Sequence, residues 1–145
     1  MTSWIVYHNC DNLGSYPSDI PISNIKTESI NIPSNQTSRG SIFTRKKKAS
    51  YDSVGNEIFL IIGIGKPKKF YLWERIFSDK VIPETYGFFT VEGRCINPKN
   101  PIRLDTFKDF DDFKHFCGMF GLGLQNITNH PFSKTLGSLL AKEIK

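Results

Sequence analysis

The chain has 145 residues, of which 39% are hydrophobic and 23% charged, with a formal net charge of +5. That length suits one domain with a real core, and the composition excludes a disordered chain. The positive balance favours an anionic partner such as nucleic acid.

"SWIVYHN" (3–9) is rich in aromatic and β-branched residues and predicts a strand. Alternation puts Ser3, Ile5, Tyr7 and Asn9 on one side and Trp4, Val6 and His8 on the other. Residues 10–40 are dense in Gly, Pro, Ser, Asn and Asp and predict a long irregular connection, with one short strand near 28–32. "GSIFTRKKKAS" (40–50) reads as a strand running into a basic loop, and "YDSVGN" (51–56) as a turn. "EIFLIIGIG" (57–65) is apolar on both sides, as in a strand buried on both faces. "KPKK" makes a hairpin turn into a strand over 70–77. Strict alternation there groups Phe70, Leu72, Glu74 and Ile76 against Tyr71, Trp73, Arg75 and Phe77. "YGFFTVEGRCI" (86–96) predicts a further strand, and "NPKNP" breaks the chain.

The last third changes character. "DFDDFKHFCG" sets Phe110, Phe113, Phe116 and Cys117 on a helical stripe, with Asp109 as cap and Gly118 as terminator. A glycine-rich stretch follows (120–127), then a helix from Pro131 carrying Leu136, Leu139, Leu140 and Ile144. The expected fold is α+β: a single domain over 1–145, built on a compact, strongly curved sheet or small β-barrel with flanking helices.

No catalytic group stands out. His8, His115 and His130 lie apart, and a Cys–His nucleophile would need an orienting group and an oxyanion donor that nothing locates. Asp105, Asp109, Asp111 and Asp112 read as the cap and solvated face of a helix. Cys10, Cys95 and Cys117 form no CxxC pair, so neither a zinc site nor a disulfide framework is expected, and no cofactor. The cysteine usage fits a reduced, cytoplasmic setting. The first residues lack signal-peptide character, and the longest apolar run is too short to span a bilayer, so no membrane is expected. "IGIGKPKK" carries neither GxGxxG nor GxxxxGK[ST]. Two basic segments remain as phosphate contacts: Arg45, Lys46, Lys47 and Lys48 in one, and Lys66, Lys68 and Lys69 in the other. Tyr71 and Trp73 read either as core, with Arg75 at its edge, or as a wall that stacks a base.

The order "SWIVYHN", an irregular connection, "SVGNEIFLIIGIG" and "KKFYLWERI" resembles the PUA-like superfamily, EVE-type domains above all. Asn56 stands where those domains carry the Asp of a "GD" turn. "FKDFDDFKHFCGMFGLGLQNI" is similar to the tail of EVE-like modules in modification-dependent restriction systems. PUA-like domains include the EVE, YTH and SRA readers, which hold a flipped-out base in an aromatic-lined pocket. The resemblance implies base-binding residues at Trp4, Tyr7, His8 and Asn9, with Trp73 and Tyr71 as further walls. It implies a non-catalytic nucleic-acid-binding module that recognises a modified cytosine or adenine, in DNA rather than RNA. A separate domain or protein would supply any nuclease activity. Two other classes stay open: a small enzyme on nucleic acid or nucleotides using His8 or Asp109, and a protein-interaction or regulatory domain.

Overall fold

The computed structural model describes residues 1–13, 38–98 and 101–143. The strand expected near 28–32 and the apolar position at Ile144 lie outside them. The elements are β1 (Ser3–Asn9), α1 (Cys10–Leu13), β2 (Ser38–Thr44), α2 (Lys47–Asp52), β3 (Glu57–Ile64), β4 (Lys69–Pro83), β5 (Phe89–Ile96), β6 (Ile102–Arg103), α3 (Phe110–Phe116), β7 (Gln125–Asn126) and α4 (Phe132–Glu143). The architecture is mixed α/β. Seven strands form one sheet in the order β2-β5-β4-β3-β1-β7, with β6 paired to β4 beside that path. β1 and β3 run parallel, and every other pair is antiparallel.

β3 behaves as its composition requires. It is buried on both faces because β1 and β4 flank it and apolar layers cover it above and below. On one face Ile5, Phe59, Ile61, Phe70 and Leu72 meet Phe110 and Phe113 of α3 and Phe132, Leu136 and Leu140 of α4. Phe110, Phe113 and Cys117 of the stripe read from the sequence seat α3 there, whereas Phe116 is 42% exposed. Asp109 does occupy the N-cap of α3, but it makes no side-chain capping bond. On the opposite face Trp4, Val6, Ile58, Leu60, Ile62, Tyr71, Trp73 and Ile76 form a second core, with Ala49 of α2 and Leu124 against it.

Residues of β1, β2, β3, β4 and β5 all turn into this second core, so the sheet curls around it. Lys46, just after β2, donates from Nζ to the carbonyl of Leu124, just before β7, at 3.1 Å. The two edge strands thus approach across the hollow side, yet no backbone pairing joins them among the described residues. The sheet is curved and open.

Strict alternation fails in β4. Leu60 pairs with Glu74 and Ile61 with Leu72, so Trp73 is an extra residue, a β-bulge. Trp73 and Glu74 therefore both turn to the concave side. Beyond the bulge the faces are exchanged. Ile76 joins Tyr71 and Trp73, while Arg75 crosses to the side of Phe59, ion-paired to Glu57 and with its guanidinium 4.7 Å from the Phe77 ring. One inserted residue inverts every later assignment in a period-two element.

The glycine-rich stretch turns sharply on left-handed backbone. Gly118 (φ 59), Met119 (φ 56) and Phe120 (φ 64) follow one another. Such angles cost an L-residue about 1–2 kcal/mol each. At Phe120 the strain is offset by packing, since its ring lies 5.1 Å from Tyr7, 5.5 Å from Phe70 and 6.0 Å from Phe110.

Candidate nucleic-acid interface

The six expected base-binding residues do not form one pocket. Trp4, Tyr71 and Trp73 are 6%, 3% and 1% exposed, all in the concave core. Their rings are enclosed in the core, which for Tyr71 and Trp73 is one of the two readings the sequence left open. The cause is the curvature of the sheet, which wraps neighbouring strands around Trp73 and buries a large apolar area. The Trp4 indole N–H is already satisfied by Thr2 Oγ1 at 2.8 Å. Tyr7 points the other way and stacks on Phe120, and burial, then Cys10 and Asp11, push its phenol up to about 12. His8 and Asn9 are half-buried at the end of β1.

That end of β1 is held by its own polar contacts. Lys68 Nζ donates to Asn9 Oδ1 at 2.8 Å and lies 3.3 Å from the Asp11 carboxylate. Asp11 in turn accepts from the Gly65 N–H at 3.1 and 2.9 Å. These bonds tie the start of α1 to the β3–β4 turn and occupy Lys68 internally. The neighbouring Cys10 thiol is buried, and desolvation pushes it up to about 12. Burial does the same to Cys117. Neither thiol is primed as a nucleophile. Among the described residues no His, Cys, Asp and Glu converge to hold a metal ion. His130 clamps helices: Nε2 lies 2.8 Å from Asp112, and Nδ1 accepts from the Phe132 N–H at 3.1 Å.

The two basic segments follow different strands. β2 is antiparallel to β5, β5 to β4 and β4 to β3, and Thr44 at the end of β2 lies level with Phe89 and Pro83, beyond Phe77, the partner of Glu57 at the start of β3. Arg45 to Lys48 follow β2, whereas Lys66, Lys68 and Lys69 follow the far end of β3. Only Arg45 and Lys46 of the first segment are loop: Lys47 and Lys48 open α2, and Lys48 pairs with Asp52 one turn later at 2.6 Å. Lys46 is committed to Leu124. Arg45 and Lys47 stand exposed.

Beside Arg45 is a group of aromatics that the sequence did not single out. Phe43 on β2 is 64% exposed and Tyr86 is 90% exposed. With Glu84, Thr85 and Phe88 they line an open depression of about 310 Å³. Tyr86 sits at the tip of the β4–β5 connection on left-handed backbone (φ 60, ψ 27), followed by Gly87 at φ 78. The Glu84 N–H donates to the Phe88 carbonyl at 2.8 Å and closes that tip. The Arg45 guanidinium lies 4.1 Å from the centroid of the Phe88 ring. The available signal was the cluster "TYGFF" between two strand patterns. Residues 86–96 read as one strand because aromatics favour strands, whereas Thr85–Gly87 is a 3-10 turn and β5 starts at Phe89.

Comparisons with protein-family models, with curated proteins and with solved structures give no match.

Proposed function

We propose that this chain is a non-catalytic nucleic-acid-binding module whose contact surface is the corner formed by Phe43, Arg45, Tyr86 and Phe88. The observation that carries the reading is the exposure of Tyr86 and Phe43 directly beside an arginine held over Phe88. Exposed aromatic rings stack bases at about 1–3 kcal/mol each, independent of sequence. Arg45 and Lys47 supply cations for the flanking phosphates, in keeping with the net charge of +5. The depression is open enough to take a flipped-out or unpaired base without a large rearrangement. In this reading the ligand is DNA carrying a modified cytosine or adenine, and an effector nuclease in a restriction or defence system acts on the DNA so marked. That setting rests on the PUA-like resemblance of the sequence.

The test is binding of single- and double-stranded oligonucleotides, plain or carrying 5-methylcytosine, 5-hydroxymethylcytosine or 6-methyladenine, at two salt concentrations. Binding should weaken by about tenfold or more in the Phe43→Ala, Tyr86→Ala double variant. Retention of full affinity in that variant, or no binding at low salt to any oligonucleotide, overturns the reading. Equal affinity for plain and modified strands removes the modified base and leaves a general binder.

A further inference from the structure

Within the corner one group is out of keeping with phosphate binding. Glu84 lines the depression and is exposed. A carboxylate repels phosphate, so its place against a bound nucleotide is at the base edge rather than the backbone. Its orientation is not free. Thr90, buried at the start of β5, donates from Oγ1 to Glu84 Oε2 at 3.0 Å. Its backbone N–H is held as well, by the Phe88 carbonyl at 2.8 Å. Oε1 accepts no hydrogen bond among the described residues. A fixed carboxylate with one open acceptor, at the margin of exposed aromatic rings, matches a ring whose edge presents N–H donors.

We infer that Glu84 is a specificity residue that selects bases bearing an exocyclic amino group, with Thr90 as its positioning residue. This rests on the proposed nucleic-acid reading of the same corner. Adenine N6 and cytosine N4 donate to a carboxylate, whereas thymine presents carbonyl oxygens on either side of its single N–H and meets repulsion there. Methylation at cytosine C5, or a single methyl on adenine N6, leaves an amino N–H in place, so such modified bases pass the same filter.

The experiment compares dA, dC and dT 12-mers against the full chain at fixed low salt. The wild type should bind dA and dC roughly tenfold more tightly than dT. Glu84→Gln, whose amide both donates and accepts, should bring the three to within about twofold. Thr90→Val should shrink the dA-to-dT ratio while leaving dT affinity unchanged, an effect that a merely structural role for Thr90 would not produce. Equal wild-type affinity for the three strands overturns the inference and leaves the binding reading intact. A ratio that persists in Glu84→Gln overturns the role of Glu84. Failure of all three strands to bind wild type overturns the binding reading itself.

Discussion

The guanidinium of Arg45 lies 4.1 Å from the centroid of the Phe88 ring, beside the most exposed aromatic side chain of the corner, that of Tyr86. A cation over a ring face is held without neutralising its charge, so its N–H donors stay available to an anion. Arg45→Gln should therefore lower affinity for single-stranded DNA and reduce the salt dependence, with the log–log slope falling by about 0.7 for the one lost phosphate contact. Fluorescence titrations between 50 and 200 mM salt measure this. An unchanged slope would place Arg45 outside the interface.

Trp73 separates core from cage. It is the bulge residue of β4 and 1% exposed. Trp73→Ala should cost about 3–5 kcal/mol in urea unfolding, the range for emptying an aromatic site in a core. Trp73→Phe should keep the fold and keep DNA affinity within twofold. A loss of affinity in a well-folded Trp73→Phe would return this residue to the binding site.

At Gly93 the backbone of β4 closes on β5. A Cβ there would stand 1.8 Å from the Phe77 carbonyl oxygen, opposite Ser78 and next to the second bulge of β4. A backbone atom cannot rotate away, so Gly93→Ala should destabilise by roughly 3 kcal/mol or more. Gly55, with φ 85 and open space around it, is the control. Its alanine variant meets only the left-handed backbone penalty, about 1–2 kcal/mol. Denaturant midpoints for the two variants should fall in that order.

Phe120 tests whether packing holds a strained turn. At φ 64 an alanine keeps the strain and loses the ring contacts, whereas a glycine loses the contacts and relieves the strain. Phe120→Gly should be at least as stable as Phe120→Ala, the reverse of the ordinary ranking, and both should lie about 3 kcal/mol or more below wild type. Thermal or urea unfolding of the pair decides it.

Glu74 is buried on the concave face with neutral partners, Asn97 Nδ2 donating to Oε2 at 3.3 Å and Cys95 adjacent. Desolvation raises its carboxyl above the usual range, only partly opposed by the hydrogen bonds from Asn97 and Cys95. The folded chain thus holds the proton more tightly than the unfolded chain. The stabilisation is complete below the unfolded carboxylate value, about 4.3, and is lost as pH rises through the raised folded value. Glu74→Gln removes this titration and keeps an acceptor for Asn97. The stability of the variant relative to wild type should therefore grow as urea midpoints are taken from pH 5 to pH 8. A constant difference would show that Glu74 titrates normally.

The sequence by itself determined what depends on local pattern. The strands read at 3–9, 57–65 and 70–77, the inward positions Phe110, Phe113 and Cys117 of the α3 stripe and the second helix follow from alternation and from the 3.6-residue period, and the structure has them, with β3 ending at Ile64, β4 running on to Pro83 and Phe116 exposed. The pairing of the edges was not legible, because curvature arises from bulges and twist summed over strands rather than from any one segment. α2 was hidden because a run of Arg and Lys carries no apolar stripe to mark a helix, and only Ala49 and Ser50 turn inward.

Only the tertiary structure decided which aromatics are exposed. Trp73 and Tyr86 are both large rings in strand-like surroundings, and their local sequence does not separate them. Trp73 is enclosed because a single extra residue in β4 turns it into the hollow of a curved sheet. Tyr86 is outside because a left-handed tip between β4 and β5 carries it past the last paired residues, where no neighbouring strand remains to cover it.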